Sequence, residues 1–106
     1  MAAAVTYDLT HGIATLTLNR SDSKNSLSAE LMDALGDNFT KAINDPGVRV
    51  IMLTNNGNTF CAGANLKDPN ASEVPRYSLV EIFNLMQSSP KPIVGRIAGH
   101  CMGGGV

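Results

Sequence analysis

The run VRVIMLT at residues 48–54 constrains the fold most. It is rich in β-branched residues and almost continuously apolar. With no alternating polar face, it predicts a strand buried on both sides, as in a parallel sheet covered by helices. The segments around it agree. In residues 29–44, Leu31, Leu35 and Phe39 recur every four positions, with Met32 and Ile43 beside them. That spacing predicts an amphipathic helix. Ser28 stands where it can cap that helix, and Asp45-Pro46-Gly47 stops it. Residues 77–87 carry Leu79, Val80, Ile82, Phe83 and Met86 in a second helical pattern, which SSPKP at 88–92 ends. Residues 93–97 read as another strand.

The N-terminal part has a different period. Residues 5–10 read as a short strand, His11-Gly12 as a turn, and residues 13–19 alternate. Ala14, Leu16 and Leu18 fall on one face; Ile13, Thr15 and Thr17 fall on the other. The pair predicts a β-hairpin. Residues 20–27 are polar and serine-rich, a loop. Residues 68–76 are polar with two prolines and read as a mobile connection. Strands alternating with helices give an α/β chain with parallel pairing. The chain reads as part of one domain. Residues 103–106 look like the start of a helix that would cover the last strand, so the natural protein is expected to be longer.

Composition limits the function. Eight basic residues stand against nine acidic ones, for a net charge of −1, and no Lys/Arg cluster exists. A nucleic-acid partner is disfavoured. No apolar run approaches the roughly 18 residues of a membrane span, and the N-terminus lacks the layout of a secretory signal. Cytosol is the default compartment, and a mitochondrial-matrix form without its transit peptide would read the same. Cys61 and Cys101 lie 40 residues apart without CxxC spacing or a nearby ligand set. They read as reduced thiols, with a disulfide or metal site as the lesser reading.

Two small-residue turns carry the chemistry. Each follows an apolar strand: Phe60-Cys61-Ala62-Gly63-Ala64-Asn65-Leu66, and Gly99-His100-Cys101-Met102-Gly103-Gly104-Gly105. Each presents backbone N–H groups where no large side chain blocks a ligand. Two converging N–H groups can hold a developing oxyanion. The second turn is expected to open a helix, whose N-terminal dipole also favours negative charge. Tight packing alone would explain either turn by itself. A P-loop and a dinucleotide fingerprint both fail on spacing.

Asn19-Arg20, then Asn25-Ser26-Leu27, VRVIMLT, FCAGANLK and KPIVGRIAGHCMGGG follow one another in an order and spacing that resembles the crotonase (enoyl-CoA hydratase/isomerase) family, across essentially the whole chain. The resemblance implies an α/β fold of ββα units wound into a spiral, of which this chain is the N-terminal part. It implies homotrimers or homohexamers, and no metal or redox cofactor, coenzyme A being part of the substrate. It assigns the oxyanion donors to the backbone N–H groups of Ala64 and Gly104. It assigns substrate contacts to Lys24 and Asn25 in the loop, to Ala62, Gly63, Leu66 and Lys67 at the first turn, and to Gly103 at the second.

Within that resemblance several residues keep two readings. Lys67 is placed near the phosphates of coenzyme A or is a solvated surface lysine. In the loop the backbone matters more than the Lys24 side chain. Asn65 stands where the family usually has a structural aspartate. His100 reads as a turn histidine rather than a base, His11 as solvated, and Cys61 as a small filler rather than a nucleophile. Phe83, Leu85 and Met86 fall where the family shapes its acyl pocket, or are core.

The implied reaction is processing of an acyl-CoA thioester through an enolate, most simply the hydration of a 2-enoyl-CoA in fatty-acid or branched-chain catabolism. Hydratases of the family use two glutamates as acid and base. The first would fall at the residue after Val106 and the second further on, so the 106-residue chain alone is expected to be inactive. Isomerase, hydrolase and decarboxylase reactions share the same first half. A non-catalytic CoA-ester-binding or assembly protein of this fold is the rival from another class.

Overall fold

The computed structural model describes residues 4–19, 28–57, 59–61, 79–97 and 99–101. Strands β1 (Val5–Thr10) and β2 (Ile13–Leu18) form the expected antiparallel hairpin, with Thr10 opposite Ile13. His11 and Gly12 make its two-residue turn with φ of 53° and 79°. A two-residue hairpin that follows the twist of its strands uses positive φ at both positions. The Gly12 carbonyl then accepts from the N–H groups of Arg49 (2.7 Å) and Val50 (3.2 Å), which fixes the hairpin tip to the next strand.

Helix α1 (Ala29–Asn44) occupies the predicted span. The Ser28 hydroxyl accepts from the Leu31 N–H at 3.1 Å, which satisfies one of the free donors of the first turn. At the other end the Asp45 N–H donates to Ala42 O, and the Asp45 carboxylate accepts from the Gly47 N–H at 2.8 Å. Leu31, Leu35, Phe39 and Ala42 form the buried stripe. They meet Ala14, Leu16 and Leu18, the inward residues of β2.

Strand β3 (Val50–Asn55) pairs in parallel with β2, and β5 (Ile93–Arg96) pairs in parallel with β3. The sheet order is β1-β2-β3-β5. Helix α2 (Leu79–Ser88) precedes β5 and places Ile82 in the same core. Phe39, Leu16, Leu31, Ile51 and Ile82 are fully buried. Burying one such side chain contributes about 1.5–3 kcal/mol. Among the described residues, β3 differs from the expectation of burial on both faces. Ile51, Leu53 and Asn55 are buried, whereas Val50, Met52 and Thr54 are half-buried. Ile51 and Leu53 share the core with residues of both helices, and the apolar character of VRVIMLT does not separate a covered face from a half-covered one.

Two short strands stand apart from this sheet. β4 (Thr59–Cys61) and β6 (His100–Cys101) pair with each other in parallel. Both segments were expected as turns. The structure corrects this: His100 lies in a strand, and the turn residue ahead of it is Gly99. Strands of three and two residues are too short to show a period in sequence. The polar connection at 68–76 lies outside the described residues.

Candidate active site

The residues nominated from the sequence are Lys24, Asn25, Ala62, Gly63, Ala64, Leu66, Lys67, Gly103 and Gly104. All lie outside the described residues. The structure describes the elements that lead into them. β2, β3 and β5 run parallel, so they end at one edge of the sheet, with Thr17 beside Thr54 and Thr54 beside Arg96. In open α/β sheets, ligands bind at the carboxyl ends of parallel strands. The segment holding Lys24 and Asn25 follows β2. The connection to β4 follows β3, and the connection to β6 follows β5.

Hydrogen bonds join these exits. The Asn56 N–H donates to Leu18 O at 2.9 Å, and Asn56 Nδ2 donates to Asn19 Oδ1 at 2.7 Å. The Asn19 N–H in turn donates to Ala4 O at 2.8 Å. The base of the loop after β2 is thereby tied to the turn before β4. Gly57 and Gly99 turn the chain into β4 and β6, with φ of 83° and 84°. That left-handed conformation suits glycine and strains most other residues.

The β4–β6 register sets Thr59 against His100 and Cys61 against Cys101, with an irregularity between Thr59 and Cys61. The two motifs of small residues therefore leave from the ends of neighbouring parallel strands. Ala64 is three positions past Cys61, and Gly104 is three past Cys101.

Beside this pair, between α2 and the β3–β5 end of the sheet, lies a cleft of about 680 Å³. Its walls are Leu53, Phe60, Phe83, Met86, Gln87, Ile93, Gly95 and Ile97. Phe60 is the residue before Cys61, so the cleft reaches the end of β4. Phe83 and Met86 line it. Leu85 and Met86 are both half-buried against the core. The strand residues of the wall were not singled out from sequence. Their only signal is apolar character, which core residues share.

His11 is exposed at the hairpin tip. No group of three or more metal-ligating side chains forms among the described residues, and no described helix is long and apolar enough to cross a membrane. Lys91 lies in the SSPKP stop after α2. Its Nζ donates to Ala42 O at 2.7 Å and also to Asp45 O, so it holds the C-terminal end of α1 from the α2–β5 connection. Away from the cleft, Lys41 sits 4.2 Å from the Tyr7 ring centre. Burial, and then the Asp45 carboxylate, raise the Tyr7 phenol above its ordinary pKa.

The comparisons with known proteins agree with this geometry. Residues 8–106 match the family model described as enoyl-CoA hydratase/isomerase. The chain belongs to that family. A protein named "Probable enoyl-CoA hydratase echA6" from Mycobacterium bovis is 38% identical over 95 residues, covering 89% of this chain and 38% of its own length. The crystal structure of an enoyl-CoA hydratase from Mycobacterium avium subsp. paratuberculosis superposes with a TM-score of 0.81 at 27% identity, covering 99% of this chain and 42% of that one. That of the enoyl-CoA hydratase EchA8_6 from Mycobacterium marinum gives a TM-score of 0.77 at 31% identity, covering 87% and 46%. The fold is thus the crotonase fold, and the chain spans less than half the length of these relatives.

Proposed function

We propose that this chain supplies the thioester-binding half of an enoyl-CoA hydratase. The observation that supports the reading is the parallel pairing of β4 with β6, Cys61 opposite Cys101, with a glycine-containing sequence after each strand. The backbone N–H groups of Ala64 and Gly104 grip the thioester carbonyl oxygen. Adding water across a 2-enoyl thioester pushes negative charge onto that oxygen as an enolate. Donors fixed in advance stabilise the charge without reorganising, and removing one costs about 10²–10³ in rate.

The remaining assignments follow. The cleft bounded by Phe60, Phe83 and Met86 receives the apolar acyl chain. Lys24, Asn25 and Lys67 lie toward coenzyme A, and Ala62, Gly63, Leu66 and Gly103 shape the space around the thioester. No residue of this chain is assigned as the acid or base that moves protons. The reaction needs no metal or redox group, and the protein assembles as a trimer or a pair of trimers in the cytoplasm.

Replacing Gly104 with Val in the protein that carries this chain tests the assignment. Hydration of a 2-enoyl-CoA should fall about a hundredfold or more, with the fold retained by circular dichroism. Unchanged turnover would remove Gly104 from the site. Binding of the CoA ester without hydration by the unmutated protein would favour a non-catalytic relative.

A further inference from the structure

We infer that Gly95 sets how long an acyl chain the cleft accepts, and that the cleft takes straight 2-enoyl chains of medium length over the four-carbon one. The inference rests on the functional reading above, which puts the acyl group in that cleft. Two faces bound the space. Phe83, Met86 and Gln87 of α2 are spaced i, i+3 and i+4, so they share one side of the helix. Ile93 and Gly95 of β5 are spaced by two, so they share one side of the strand, and Ile97 follows at the same spacing. Leu53, the Cα partner of Gly95 on β3, and Phe60 complete the wall, and both are buried. Gln87 is the only polar side chain among the described residues of that wall. Phe83 and Ile97 remain 46% and 48% exposed, apolar surface that a hydrocarbon chain would cover with gain.

The backbone at position 95 does not require glycine. Its φ lies outside the left-handed region, unlike those of Gly12, Gly57 and Gly99. Among the described residues, a Cβ at this position would meet only the Ile97 side chain, with Cδ1 at 3.4 Å and Cγ1 at 3.8 Å, which is ordinary contact. Glycine inside a strand packs nothing and costs backbone entropy, and it often marks a place where a ligand approaches closely. What glycine leaves here is room in the cleft wall. A larger side chain would leave the strand on the side of Ile93 and fill that room. The cleft of about 680 Å³ falls within the roughly 300–1,000 Å³ usual for ligand pockets. That is more than a four-carbon acyl group fills.

The test measures kcat/KM for the 2-butenoyl, 2-octenoyl and 2-decenoyl esters of coenzyme A, using the full-length protein that carries this chain. Wild type should favour the two longer esters by about tenfold or more, since each methylene in an apolar pocket discriminates by about that factor. Gly95→Leu should lose about tenfold or more on the longer esters and keep its rate on the butenoyl ester. Gly95→Val, whose β-branched side chain suits a strand, should shift the profile the same way by less, and it decides the point if the Leu variant fails to fold. Val94→Leu enlarges the opposite side of β5 and should leave the profile unchanged. A wild-type preference for the butenoyl ester would overturn the inference. So would a length profile that neither Gly95 variant moves, or one that Val94→Leu moves equally. If no ester is hydrated, the functional reading fails by itself, and calorimetry with butyryl-CoA and decanoyl-CoA still decides the cleft. Tighter binding of decanoyl-CoA, lost in Gly95→Leu, would support the role of Gly95. Binding without dependence on chain length, or no binding, would overturn it.

Discussion

The larger sheet and the β4–β6 pair use their residues in opposite ways. In the sheet, side chains carry the structure: Leu16, Leu18, Ile51 and Leu53 share one buried core with Leu31, Leu35 and Phe39 of α1. The β4–β6 pair has strands of only three and two residues, and the segments that follow are Ala, Gly and Met. There the backbone is the group proposed to act. The contrast separates a scaffold that supplies stability from a pair of strand ends proposed to supply catalysis. Substitutions in the two regions should therefore fail differently.

The sharpest break of that contrast is Phe39→Ala. Phe39 is fully buried on α1, and its removal leaves a cavity beneath the sheet. A loss of about 3–5 kcal/mol in chemical denaturation is expected, with turnover per folded molecule unchanged. Gly104→Val should do the reverse, with folding kept and turnover lost. If Phe39→Ala lowered the rate per folded molecule as steeply as Gly104→Val, the division would collapse.

Lys91→Met gives a smaller effect that sharpens the contrast. It removes a cation that donates to two carbonyls at the C-terminal end of α1, where the helix dipole favours positive charge. The expected loss is about 1–2 kcal/mol in denaturant. A stability equal to wild type would mean that the ammonium does not hold that helix end in solution.

Tyr7→Phe should change least. Among the described residues the Tyr7 hydroxyl is buried without a hydrogen-bond partner. Its pKa in the folded chain is raised by burial and then by Asp45. The fold thus prefers the neutral phenol. That contribution is full below the ordinary tyrosine pKa of about 10 and is lost as pH rises through the raised value. The Phe variant should match wild type at neutral pH and lose less stability on the alkaline side. An identical alkaline limb in thermal melts would contradict this.

The scaffold was largely legible in the sequence. The four-residue spacing of Leu31, Leu35 and Phe39, the cap at Ser28 and the stop at Asp45-Pro46-Gly47 located α1 because each is a local signal with a physical cause. The alternation at Ala14, Leu16 and Leu18 located β2 for the same reason. β4 and β6 were not legible as strands, because their pairing is long-range and too short to impose a period. The walls of the cleft were only half legible. Phe83 and Met86 stood out on a helix, whereas Leu53, Phe60, Ile93 and Ile97 look like any core residues until the fold brings them together.

The most direct test of the central claim is a titration of acetoacetyl-CoA against ATP, followed by calorimetry on the protein that carries this chain. The β4–β6 site predicts saturable binding of the CoA ester, weakened by Gly104→Val, and no comparable binding of ATP. ATP binding with no response to the CoA ester would contradict the account, because it would point to phosphate recognition rather than a pair of backbone donors aimed at a thioester oxygen.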